Sequence, residues 1–121
     1  MRLSIIIPVF NEEKTLEEVV ERISKLEIAH EIIIVDDGSG DNTKLILEKI
    51  KHKQPDLIKV LINEINLGKG SSIRRAINEV KGDYMIVQDA DLEYEPEDIL
   101  RLMEASKKYD KSVIFGSRFL N

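Results

Sequence analysis

The sequence predicts an α/β domain built on a doubly wound, mainly parallel sheet with helices on both faces. Three observations lead there. Isoleucine-rich apolar runs recur without the in-and-out alternation of a half-exposed sheet, as in strands buried on both faces. Stretches with apolar residues at helical spacing separate them, and the resulting order βαβαβαβαβ favours parallel strands joined by right-handed crossovers. Segments rich in Asp, Asn, Ser and Gly follow the strands, where such sheets bind ligands.

Residues 3–9 give the first strand, a run of Leu, Ile and Val bounded by polar turns. A helix follows, with Leu16, Val19, Val20, Ile23 and Leu26 at i, i+3, i+4, i+7 and i+10, and with Thr15 and Glu18 spaced for a capping box. Residues 31–35 form the second strand, and Leu45, Ile46 and Ile50 mark the second helix. The third strand spans residues 58–62, and Ile73, Ala76, Ile77 and Val80 repeat the helical pattern. A fourth strand covers residues 84–87. The fourth helix opens at Glu95-Pro96-Glu97-Asp98, with proline and acids where a first turn favours them, and continues through Ile99, Leu102 and Met103. Residues 112–115 complete the sheet, and no internal repeat, low-complexity stretch or linker interrupts the series.

At 121 residues, 42% hydrophobic and 34% charged, the chain fits one domain with a modest core. Its formal net charge of -5 disfavours a general nucleic-acid binder, because a phosphate backbone repels a surface without a clustered basic excess. An anionic ligand therefore needs local help from a metal, amides or a few basic side chains. The absence of cysteine excludes disulfides and thiolate metal sites, and suits a reducing interior. The apolar run at residues 5–9 is too short to span a bilayer, and the opening Met1-Arg2-Leu3 reads as the native start of a soluble domain. The end reads as a truncation, since residues 115–121 break off just after an apolar segment.

Asp89-Ala90-Asp91 places two carboxylates in an apolar-flanked turn, where desolvation and mutual repulsion raise a pKa unless a cation is present. Mg²⁺ or Mn²⁺ resolves the conflict through oxygen ligands, keeping positions open for substrate phosphates; Glu93 offers a further oxygen. The bland alternative is a solvated turn that caps the next helix. Asp36-Asp37-Gly38-Ser39-Gly40-Asp41-Asn42-Thr43 has two readings as well. Its glycines suit positive φ, and Asp41, Asn42 or Thr43 suits a cap; alternatively, Asp37 accepts hydrogen bonds from a nucleobase. Asn66-Leu67-Gly68-Lys69-Gly70-Ser71-Ser72 brings small residues and a lysine to a helix N-terminus, as a tight turn or a phosphate contact. Its spacing is not that of a Walker loop. His30 and His52 have no metal-ligand company.

In the common 3-2-1-4 strand order, the topological switch point lies between the first and fourth strands. Phe10-Asn11-Glu12 then flanks one side of the crevice and Asp89-Ala90-Asp91 the other, so separate motifs converge on one site.

Assembled, these residues resemble a family 2 glycosyltransferase of the GT-A (Rossmann-like) fold, near the dolichyl-phosphate mannosyltransferase and polyprenyl-phosphate sugar transferase branch. The matching stretches are residues 4–12, 31–43, 66–70, 82–97 and Gly116-Ser117-Arg118. The resemblance implies a donor-nucleotide pocket of Pro8, Val9, Phe10, Glu12, Val35, Asp37, Gly68, Lys69, Asp89 and Ala90. It implies that Asp89 and Asp91 hold Mg²⁺ or Mn²⁺ on the donor diphosphate, with Glu93 keeping a further oxygen beside them, and that Asp91 and Arg118 act in catalysis, Arg118 on a phosphate. Glu93 stands where the mannosyltransferase branch often has glutamine. The implied reaction is inverting transfer from GDP-mannose or a UDP-hexose to a polyprenyl or dolichyl phosphate, or to a saccharide. A lipid phosphate is already ionised near neutral pH and needs no strong general base. The acceptor half is then expected beyond residue 121, with the whole protein at the cytoplasmic face of a membrane. Two other readings compete: a donor-binding fragment without activity, and a phospho-receiver signalling domain. A receiver carries its acidic pair after the first strand, whereas here the acids follow the second and fourth.

Overall fold

In a computed structural model, which describes residues 2–91, 95–101 and 113–115, the chain alternates strands and helices. The elements are β1 (Leu3–Val9), α1 (Leu16–Lys25), β2 (Ala29–Asp37), α2 (Thr43–Lys53), β3 (Ile58–Asn63), α3 (Lys69–Ile77), β4 (Tyr84–Val87), a 3-10 turn (Pro96–Asp98) and β5 (Val113–Phe115). Residues 99–101 continue the 3-10 turn as helix, and Leu102 and Met103 lie outside the described residues.

All four strand pairings are parallel, and the order is β3-β2-β1-β4-β5. Ile5 pairs with Ile32 on one side and with Ile86 on the other, so the centre of the sheet is a row of β-branched side chains. One face carries Ile5, Ile7, Ile32 and Ile34 and is covered by Leu16, Val19 and Ile23 of α1, Leu47 and Ile50 of α2, and Ile99. The opposite face carries Ile6, Ile33, Val35, Met85 and Val87 beneath Ala76 of α3. Helices on both faces explain why the strands read as unbroken apolar runs. Each large side chain taken fully out of water contributes about 1.5–3 kcal/mol.

Two local expectations fail. Leu45 does not face the core: it is 70% exposed, and Leu47 takes the inward position three residues before Ile50. The capping box at Thr15 and Glu18 does not form, because the Thr15 hydroxyl is directed to the Ala90 carbonyl and makes no bond to its own helix.

Candidate functional site

The carboxyl ends of β1 and β2 are joined by a lattice of side-chain to backbone hydrogen bonds. The Asn11 amide donates to Ser39 Oγ at 2.8 Å, and the Gly40 amide donates back to Asn11 Oδ1 at 2.8 Å. The Glu12 amide donates to Thr43 Oγ1 at 3.0 Å, and the Asn42 amide to Glu13 Oε2 at 3.2 Å. Asp41 Oδ1 accepts from the Thr43 amide at 2.9 Å, turning the chain into α2. Asn11 holds φ at 52°, a left-handed conformation that asparagine tolerates better than most residues. Gly38 has no alternative: its φ is +76°, and an added Cβ would sit 2.6 Å from the Ile65 carbonyl carbon. Asp36 is fully buried, with Oδ1 accepting from the Ser39 amide at 3.4 Å.

Asp37 is buried on the α3 side of the sheet and holds the loop between β3 and α3. Its Oδ1 accepts from Asn63 Nδ2 at 3.0 Å and the Leu67 amide at 2.8 Å; its Oδ2 accepts from the Gly68 amide at 2.9 Å. Burial pushes the carboxyl up, but these bonds, with a contribution from Ser72, outweigh it and hold the pKa below the ordinary aspartate value. Asn63 also donates to Ser72 Oγ at 3.1 Å, so β2, β3 and α3 share one buried polar network.

Across the sheet, β4 delivers Asp89, Ala90 and Asp91. Lys69, the first residue of α3, forms an ion pair with Asp89 Oδ1. Asp89 is only 9% exposed. The Thr15 hydroxyl lies within hydrogen-bond reach of both the Ala90 carbonyl and Glu12 Oε2, the latter at 3.2 Å. Burial, aided by the carboxylates of Asp91, Asp41 and Asp89, pushes the Glu12 carboxyl above its ordinary value against the Thr15 contact. Negative charge therefore accumulates at this end of the sheet, with Lys69 set among it.

These parts line one cleft of about 380 Å³, bounded by Pro8, Val9, Phe10, Glu12, Asp37, Asn66, Gly68, Lys69, Asp89, Ala90 and Asp91. The volume is within the range of small-molecule sites. It lies where the strand order reverses between β1 and β4, as the motif spacing predicts. Phe10 lines it and is 45% exposed, an aromatic side chain left open to solvent. Val35 is a correction: it shares the α3 face of β2 with Asp37 but lies two residues deeper, fully buried beneath α3 in the apolar layer, and does not line the cleft. Glu93 and Arg118 lie outside the described residues. Among the described residues, no group of three or more His, Cys, Asp and Glu converges closely enough to hold a metal ion by itself. A larger hollow of about 510 Å³ lies between α1 and α2, lined by Glu17, Glu21, Lys25 and Lys53 among others, away from every motif.

Sequence reasoning passes over Asn63, and it reads Thr15 only as a helix cap. Their partners lie 26 and 75 residues away, so local pattern carries no signal of them. Asn66 was legible only as part of the Gly-Lys-Gly turn.

Comparison with known proteins assigns the family. The model of glycosyl transferase family 2 matches residues 4–121. The undecaprenyl-phosphate 4-deoxy-4-formamido-L-arabinose transferase of Proteus mirabilis (strain HI4320) is 38% identical over 125 residues, covering 99% of this chain and 37% of that protein. The dolichol-phosphate mannosyltransferase of Pyrococcus furiosus is 37% identical over 122 residues, covering 99% of this chain and 34% of that one. The chain thus spans about a third of the length of these relatives. A mannosyltransferase of Pyrobaculum calidifontis, solved in complex with GDP-Man and Mn²⁺, superposes with a TM-score of 0.69 at 24% identity, over 74% of this chain and 27% of that one. Its likeness extends to the GT-A fold. The phospho-receiver alternative falls on topology as well, since that architecture orders its strands 2-1-3-4-5 and here the order is β3-β2-β1-β4-β5. With its cleft at the switch point and a family model matched from residue 4 to residue 121, the chain belongs to glycosyl transferase family 2.

Proposed function

We propose that this chain is the donor-binding part of a metal-dependent, inverting glycosyltransferase that transfers a sugar from a nucleotide-sugar to a polyprenyl or dolichyl phosphate. The observation that carries the reading is the meeting of Asp89, Asp91, Glu12 and Lys69 in one cleft with the half-exposed Phe10. The names of the Proteus and Pyrococcus relatives support the acceptor class.

The side chains present suit Mg²⁺ or Mn²⁺. Asp89 and Asp91 supply hard oxygen ligands, and the carboxylates of Glu12, Asp89 and Asp91 gathered in one cleft are an imbalance of charge that a dication relieves. Two carboxylates without a third ligand among the described residues leave coordination positions for phosphate oxygens and water. When bound, the cation offsets the charge that develops on the departing nucleoside diphosphate. Phe10, Pro8 and the remaining hydrogen-bonding capacity of Asp37 Oδ2 orient the nucleoside. Lys69 reaches the diphosphate as a point charge. The acceptor's phosphate oxygen attacks the anomeric carbon from the face opposite the leaving diphosphate, whose oxygen takes the bonding electrons as the old C–O bond breaks. Being ionised already, the acceptor's phosphate oxygen requires no protein base. We assign Arg118 to a phosphate of donor or acceptor.

Acceptor selection belongs to the part of the relatives' length that this chain does not span. A lipid acceptor puts the whole protein at the cytoplasmic face of a membrane; among the described residues no helix is long and apolar enough to cross one. Calorimetry with GDP and UDP, with and without Mn²⁺, tests the reading. Mn²⁺-dependent binding of one nucleotide is expected, with loss of that dependence in Asp91→Ala. Equal affinity of Asp91→Ala and the wild type would overturn it.

A further inference from the structure

One helix touches the chain on either side of Asp91: at Ala90 before it, and at the Glu95 and Glu97 carboxylates after it. At the start of α1, the Thr15 hydroxyl donates to the carbonyl of Ala90, the residue between the two aspartates. Seven residues on, and therefore on the same face of the helix, Arg22 donates through Nε to Glu97 Oε2 at 3.3 Å and pairs through a terminal nitrogen with Glu95 and Glu97. Both glutamates follow Asp91 closely in the chain. Along the same helix, Leu16, Val19 and Ile23 pack in the apolar cluster that also takes Ala90 and Ile99.

The Thr15 contact departs from local preference. A threonine in this position ordinarily bonds the amides of its own first helical turn. Here the hydroxyl makes no such bond and is directed to a carbonyl 75 residues away. That carbonyl belongs to the peptide joining Ala90 to Asp91. Rotation of this peptide would change the direction of the Asp91 side chain relative to Asp89.

We propose that Thr15 and Arg22 are positioning residues that set the separation and orientation of the Asp89 and Asp91 carboxylates for a divalent cation. The inference rests on the proposed function and adds α1 to the machinery of the site. Groups that orient metal ligands commonly change metal affinity by about 10- to 100-fold when removed. Arg22 acts at longer range through partly exposed ion pairs, so its removal has the smaller effect.

The test titrates Mn²⁺ into the wild type, Thr15→Val, Thr15→Ser, Arg22→Gln and Asp91→Ala at fixed GDP or UDP. Free Mn²⁺ is followed by electron paramagnetic resonance, and thermal midpoints are read in EDTA. Thr15→Val is expected to weaken Mn²⁺ binding about tenfold, with Thr15→Ser close to wild type and Arg22→Gln weaker by about two- to fivefold. Nucleotide affinity in EDTA separates a loss acting through Glu12, which Thr15 also approaches; Arg22→Gln touches no cleft residue and must leave that affinity unchanged. Wild-type Mn²⁺ affinity in both Thr15→Val and Arg22→Gln, even with lowered midpoints, would make the contacts merely structural and overturn the proposal. Should Thr15→Val fail to fold, Arg22→Gln decides. Wild-type behaviour of Asp91→Ala would instead sink the metal reading itself.

Discussion

Replacing Asp37 with asparagine keeps the shape of the side chain and removes its charge. In the wild type the carboxylate accepts from the Leu67 and Gly68 amides and from Asn63 Nδ2, at 2.8, 2.9 and 3.0 Å. An asparagine retains one acceptor oxygen and turns an NH₂ group toward the remaining donors. At least one partly buried amide then loses its partner, at about 1–3 kcal/mol, and the surviving bonds lose the reinforcement of a charged acceptor. We expect about 3 kcal/mol in total, a large fraction of the 5–15 kcal/mol that typically holds a domain folded. A fall in Tm of roughly 10 °C at pH 7 follows for a chain of this size. Its pH dependence has a definite sign. The folded carboxyl has a depressed pKa, so its stabilisation is fully present above the unfolded value of about 3.9 and is lost as pH falls through the folded value. Urea unfolding followed by circular dichroism between pH 7 and pH 2 should therefore show wild type and Asp37→Asn converging in acid. Equal midpoints at pH 7, or a gap that persists undiminished to pH 2, would refute the assignment of Asp37 as the fastener of the β3–α3 loop.

Gly38→Ala should cost about 2–4 kcal/mol in chemical denaturation, since it adds left-handed strain at φ +76° to a 2.6 Å approach to the Ile65 backbone. Glu27→Gly should do the reverse: Glu27 sits just past the end of α1 at φ 53°, where glycine is unstrained. Allowing for the added freedom of the unfolded chain, a gain of about 0.5–1 kcal/mol is expected, read as a higher thermal midpoint.

The sheet was legible because doubly covered strands need nearly every position apolar, so the bounds of β1 and β4 follow from hydrophobicity alone. At β2 that logic stopped early. Asp36 and Asp37 look like a turn, yet they remain in the strand, paired with Val9 and Asn63; the Leu67 and Gly68 amides compensate the burial of Asp37, while Asp36 Oδ2 is buried with no hydrogen-bond partner among the described residues. Ala29 joins the other end through an irregularity beside Leu3 and Ser4 that no periodicity announces. Most of the cleft was legible for a topological reason: residues just after parallel strands gather at the reversal point whatever their sequence separation. Direction within the cleft was not. Asp37, readable as a base acceptor, points most of its bonding capacity at its own loop, and Val35, on the same face of β2, lies two residues deeper beneath α3. Such choices depend on partners across the sheet, which composition and spacing do not encode.

The reciprocal fastening of Asn11 to Ser39 and Gly40, with the Glu12 amide bonded to Thr43, bears on how a ligand would be received. A rim already stitched together has little disorder left to surrender on association. Its ordering cost was met during folding, in common with the strands beneath it. Mutations that loosen the stitching would thus appear first as an unfavourable entropy of complex formation, with the heat of contact largely intact.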